Sequence, residues 1–155
     1  MIRAFFYCFV ILTVSCASEK SLDRNRQDLR SEGLPVTILS NDSLKVDYRK
    51  EDIFEDYVVT SDAGFAIQIE SSNDARQGKD ILKSVLDAEV TNHPYFSKIL
   101  KQTEDGCVYE LNVDGTIFYQ FRKVIVEGGK KYIFKEFQGK TFSKEEIESM
   151  FDAIQ

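Results

Sequence analysis

The chain has 155 residues, with 20 Lys and Arg against 26 Asp and Glu, a formal net charge of −6 and no basic block. Phosphate contacts need clustered cations, so nucleic acid is excluded as a partner. Twelve Phe and seven Tyr supply a core for one domain, whereas three Cys and a single His leave little material for thiol or imidazole chemistry.

Met1-Ile2-Arg3 is a short basic start, and Ala4 to Val14 is uncharged and mostly Phe, Val, Ile and Leu. The run is shorter than the roughly 20 apolar residues that cross a bilayer. It is also apolar on every side, unlike a helix that covers a core. This pattern predicts an export signal over residues 1–15. Ser15-Cys16-Ala17 offers an ordinary small-residue cleavage site, while "LTVSC" resembles the bacterial lipoprotein signal, with Thr13 where Leu is most usual. The second alternative implies cleavage before Cys16 and acylation of its thiol, and each buried methylene then adds about 0.8 kcal/mol to membrane binding. In lipoproteins of this kind an Asp after the cysteine retains the protein in the inner membrane. Ala17 stands there, so the resemblance favours the outer membrane. Cys8 leaves with the leader. Cys107, in "GCVYELNV", has no partner and is expected to be a small buried strand residue.

"ASEKSLDRNRQDLRSEG" is polar and nearly devoid of apolar residues, so residues 16–33 read as a lipidated flexible tether and residues 34–155 as the folded domain. "LPVTIL", "LKVDY", "YVVT" and "FAIQIE" alternate apolar and polar residues between turn segments, as strands of an antiparallel meander do. The period then changes. Ile81, Leu82, Val85, Leu86 and Val90 have helical spacing behind candidate caps at Ser72 to Asp74, and Pro94 opens a second short helix through "YFSKIL". "CVYELNV", a hairpin at Asp114-Gly115, "TIFYQFRKVIV", a turn at "EGGK", and "KYIFKEF" are strands again. "TIFYQFRKVIV" is apolar on both faces, which marks a strand covered on both sides. In "TFSKEEIESMFDAIQ", Ser143 and Glu146 form a capping box, Phe142 staples onto Ile147, and Ile147, Met150, Phe151 and Ile154 make the stripe of a C-terminal helix. Phe151 is expected to insert between "TIFYQF" and "KYIFKEF".

The predicted fold class is α+β, a mostly antiparallel sheet with helices packed on its faces, in the order β-β-β-β-α-β-β-β-α. That order over Leu34 to Gln155, the leader, and the closing "GKTFSKEEIESMFDAI" resemble the PsbP-like α/β/α sandwiches. These include the extrinsic photosystem II subunit and small bacterial envelope lipoproteins of the DcrB type. A cystatin-like or other α+β sheet is the structural alternative. The resemblance carries over no functional residue, and it implies a non-enzymatic accessory or binding role.

Chemistry-bearing motifs are sparse. His93, alone and next to Pro94, reads as a capping or surface residue, and without a second His or a thiol partner it makes no zinc site. Glu51, Asp52, Glu55 and Asp56 gather four carboxylates in "KEDIFEDY" but lack the spacing of a calcium loop, so a solvated turn is the expectation. "VEGGKK" joins strands and is no phosphate loop, and no G-x-S-x-G elbow is present. No catalytic residue, cofactor or metal is assigned. The expected partners are the membrane, through lipid on Cys16, and another envelope protein. The alternative is a carrier of a small apolar ligand, held in a pocket between sheet and helix.

Overall fold

The computed structural model describes residues 25–74, 76 and 78–155. The expected signal, the acylated Cys16 and the tether up to residue 24 lie outside the described residues. The elements in chain order are β1 (Asn25–Asp28), β2 (Thr37–Ser40), β3 (Leu44–Glu51), β4 (Phe54–Ser61), β5 (Ala66–Asn73), α1 (Gly78–Val85), β6 (Phe96–Gln102), β7 (Gly106–Val113), β8 (Thr116–Glu127), β9 (Lys130–Glu136) and α2 (Lys144–Ala153). No described helix is long and apolar enough to cross a membrane.

Tight turns lay the strands side by side. Asp114 and Gly115 have φ of 51° and 87°, and Gly128 and Gly129 have 61° and 78°, the pair of positive values that a type I′ hairpin needs. They join β7 to β8 and β8 to β9. The large sheet has seven strands, all neighbours antiparallel, in the order β3-β4-β5-β9-β8-β7-β6, with β1 and β2 paired separately. The chain thus builds one meander, crosses through α1 to the far edge, and folds back until β9 lies beside β5. The alternation of apolar residues then divides the core. Tyr57, Val59, Ile67, Ile69, Phe121 and Phe134 point to one face, where α2 and the β1–β2 layer cover them. On the other face Val124 and Ile133 meet Ile81, Leu82 and Val85 of α1, and Cys107, Tyr109 and Leu111 meet Val90. A mostly antiparallel α+β sheet with two helices is what the periodicities predict.

Several details differ from the sequence expectation, each for a physical reason. The tether predicted through residue 33 is already folded at Asn25. β1 pairs with β2 from Asn25↔Ser40 to Asp28↔Thr37, Leu29 is 6% exposed, and Gln27 bonds Asp42 O and Leu44 N. Backbone and amide hydrogen bonds, with one leucine, order a segment that has no apolar stripe. The strand predicted from Leu34 begins at Thr37, with Leu34 and Val36 still fully buried. The helix predicted after Pro94 is β6. A register shift between Phe96 and Lys98 lets Phe96 and Ile99, three apart, face the same side, so a bulged strand imitates helical spacing. The expected caps Ser72 and Asn73 are the last residues of β5, and α1 starts only at Gly78, widening after Val85 into a looser turn over Leu86–Thr91.

α2 is held at both ends. The Ser143 hydroxyl accepts from Glu146 N at 3.2 Å, and the Glu146 carboxylate accepts from Ser143 N at 2.7 Å, which satisfies free donors of the first turn. At the other end the nearly buried Lys123 of β8 donates to Ile154 O at 2.6 Å. Between them Phe151 is 1% exposed and meets Phe121 edge-on, ring centroids 6.0 Å apart. It rests over Gly106, where an added Cβ would lie 2.9 Å from its ring and 2.3 Å from Arg122 O. Phe151 therefore sits above β7 and β8, not between β8 and β9, because Gly106 opens the room for it there.

Phe151→Ala should cost about 3–5 kcal/mol and Ser143→Ala about 1 kcal/mol. Urea titration of both variants gives the order directly. A larger loss for the cap than for the ring would show that the stripe is not buried as described.

Candidate functional site

The sheet's most exposed apolar surface is the tip of the β3–β4 hairpin. The two strands pair from Leu44↔Ser61 to Glu51↔Phe54, which leaves Asp52 and Ile53 as the turn. Asp52 has φ 54°, a left-handed conformation uncommon for a residue other than glycine. The turn holds Ile53 74% exposed, with Phe54 at 55%, and further down the edge Tyr48 is 51% exposed, its ring 4.9 Å from that of Tyr57. Leaving two large apolar side chains in water forgoes about 1.5–3 kcal/mol each, so they mark a contact surface better than any core function.

A groove of about 670 Å³ runs beside the tip, between Phe54 and Lys130. Its floor is polar. Glu55 accepts from Lys130 Nζ at 2.8 Å and from the Ser71 hydroxyl at 3.3 Å, with Lys50 at 4.0 Å. The hydrogen bond from Lys130 holds the Glu55 carboxyl below its ordinary range. Burial pushes the neighbouring Tyr57 hydroxyl up to about 12. At the groove's side Asp74 pairs with Arg76 at 2.8 Å and Lys131 at 3.6 Å.

The four carboxylates expected to form one solvated turn are spread by the hairpin. Asp52 is in the turn, Glu55 points to the lysines of the groove, and Asp56 accepts from the Gln68 amide at 3.0 Å. Among the described residues, no three His, Cys, Asp or Glu are placed to hold a metal ion. His93 is partly buried; its Nδ1 accepts from Tyr95 N at 3.3 Å, local bonding within one turn. Cys107 is fully buried in β7 and unpaired among the described residues, with its thiol pushed up to about 11 by burial. That environment is the opposite of a reactive thiolate's.

A charged group that the sequence reading missed lies inside the fold. Glu136 follows the last β8–β9 pair, so Phe121 N has no ladder partner there, and the Glu136 carboxylate accepts from it at 3.1 Å. Arg122 reaches the same carboxylate at 3.4 Å and Glu89 at 2.8 Å, and both Arg122 and Glu136 are under 9% exposed. The signal was available in "QFRKVIV" and "FKEF". A strand covered on both faces that still carries charges must bury them against counter-charges. The tip was also legible as two apolar residues set among four acids, a pattern read only for its acids.

Side chains fill much of the space between the sheet and its helices. Phe121, Phe134, Ile147 and Phe151 fill the space under α2, and Ile81, Leu82 and Val85 lie directly on Val124 and Ile133. Near the N-terminus of α2 a cavity of about 290 Å³ opens between Ser40, Ser61 and Met150.

Comparison of the chain with protein-family models, curated proteins and solved structures finds no match. The α+β class rests on the fold, and the hairpin tip stands on its own geometry.

Burial raises the Glu136 carboxyl above its ordinary value of 4.5, against the pull of Arg122. A carboxyl whose pKa is higher in the folded state contributes stability that is complete below the unfolded value and lost as pH rises through the folded one. Glu136→Gln keeps the acceptor for Phe121 N and removes the titration. Urea midpoints measured upward from pH 4.5 should fall less steeply in the variant than in the parent. Identical slopes would rule out this carboxyl as the source.

Proposed function

We propose that the protein is a lipid-anchored module of the bacterial cell envelope, tied to the membrane through Cys16, the outer one in preference to the inner. It acts without catalysis by holding another envelope protein at the β3–β4 hairpin tip. The exposed pair Ile53 and Phe54, projected by a strained turn, carries this reading. Asn25 pairs with Ser40, beside the turn that precedes β3, so the tether leaves from the end of the sheet opposite the tip. The finer fold assignment, a PsbP-like α/β/α sandwich, belongs to the same proposal. It is supported by an antiparallel sheet with α2 on one face and α1 on the other.

Two experiments test the reading at separate points. Cells fed a labelled fatty acid should label the wild-type chain and not Cys16→Ser. Label on both, or on neither, ends the lipoprotein proposal. The double variant Ile53→Ser, Phe54→Ser should unfold at an unchanged or slightly higher urea concentration, because both side chains are already in water. In chemical cross-linking within intact cells it should lose the adducts formed by the wild type. Unchanged adducts would remove the tip from the reading.

A further inference from the structure

The two edges of the sheet are unlike. β6 carries two register shifts against β7, and such bulges discourage pairing with another strand. β3 is eight residues long and pairs with β4 without interruption, and on its outer side it has no strand of the sheet. Its charges alternate with Val46 and Tyr48. Asp47 and Arg49 are exposed on the half of the sheet that α1 leaves uncovered, and no ion pair among the described residues engages either of them.

We propose that β3 pairs antiparallel with β3 of a second copy about a two-fold axis through Tyr48, joining two seven-stranded sheets into one.

The charge pattern selects this register. Residues directly opposite in an antiparallel pair point to the same face, so a symmetric pair sets residue 48 + n against 48 − n. Centred on Tyr48, Asp47 of each copy faces Arg49 of the other, which makes two opposite-charge pairs on one face. On the other face Tyr48 meets Tyr48, extending the Tyr57–Tyr48 contact into a four-ring row. Centred one residue earlier, Asp47 meets Asp47 and Lys45 meets Arg49. Centred one residue later, Arg49 meets Arg49. A centre at Val46 confines the pairing to residues 44–48, because the chain turns before Leu44. Opposed like charges destabilise a strand pair and opposed unlike charges stabilise it, so the same residues that would keep other strands off the edge admit a second copy in one register. The occupant is therefore this chain and not an arbitrary strand. The proposal is independent of the lipid on Cys16 and of the hairpin tip.

The test uses full-length chains carrying two different tags, co-expressed and solubilised in excess detergent so that two anchors rarely share a micelle. Wild-type chains should co-purify. D47R with D47R, and R49D with R49D, should co-purify about tenfold less or weaker, because every pair at positions 47 and 49 becomes like-charged. D47R mixed with R49D should recover, since each then faces the opposite charge throughout. That recovery also shows that both variants fold. Absence of wild-type self-association, undiminished pairing of either variant with itself, or failure of the mixed pair to recover would each overturn the proposal.

Discussion

The rest of the fold depends on the seating of Phe151 on the bare backbone of Gly106. A side chain at position 106 would strike both the ring and the carbonyl of Arg122. With glycine there, α2 comes close enough for Phe121 to meet Phe151 and for Lys123 to bridge to Ile154 O and to Asp105, its ammonium 5.0 Å from the centre of the Phe151 ring. The helix end in turn bonds β2, through Thr37 and Gln155. The small β1–β2 layer is therefore hung from a helix that is itself seated by one glycine.

How much of this could be read from residues varied with the kind of force involved. The hairpins at Asp114-Gly115 and Gly128-Gly129, and the capped C-terminal helix, are decided within a few residues, and local chemistry predicts them. β6 was mistaken for a helix because a bulge changes the spacing of Phe96 and Ile99 without changing their burial. β1 was missed because what orders it is mostly backbone hydrogen bonding and the Gln27 amide, to which hydrophobic periodicity is blind. The expected place of Phe151 followed its aromatic neighbours, whereas its actual place follows an absence of side chain at Gly106.

The buried charges obey a different logic. Arg122 and Glu136 lie under 9% exposed in the sheet, as do Lys123 and Lys135. Replacing such a pair with packed hydrophobes is often no loss, but removing one partner is costly. Glu136 does a second job, since its carboxylate substitutes for the strand partner that Phe121 N lacks. The pair thus ends the β8–β9 ladder without leaving an amide unsatisfied, and it ties that ending to Glu89 in the loose turn after α1. Strand termination, helix position and charge balance are settled by the same three side chains.

The place where the chain joins the domain has a consequence for posture. If Cys16 is the point of attachment, the leash from there to Asn25 has a contour of about 32 Å at most. An eight-residue strand is about 27 Å long. A single point of attachment does not by itself set the tilt of a solitary copy over the bilayer. Two copies joined edge to edge about Tyr48 have their leashes at opposite ends of the shared sheet, because the strands run in opposite directions. Both can reach one leaflet only if the strands lie along the membrane plane. Edge pairing would then lay the joined sheets flat, with one sheet face turned to the headgroups and the other to the space beyond.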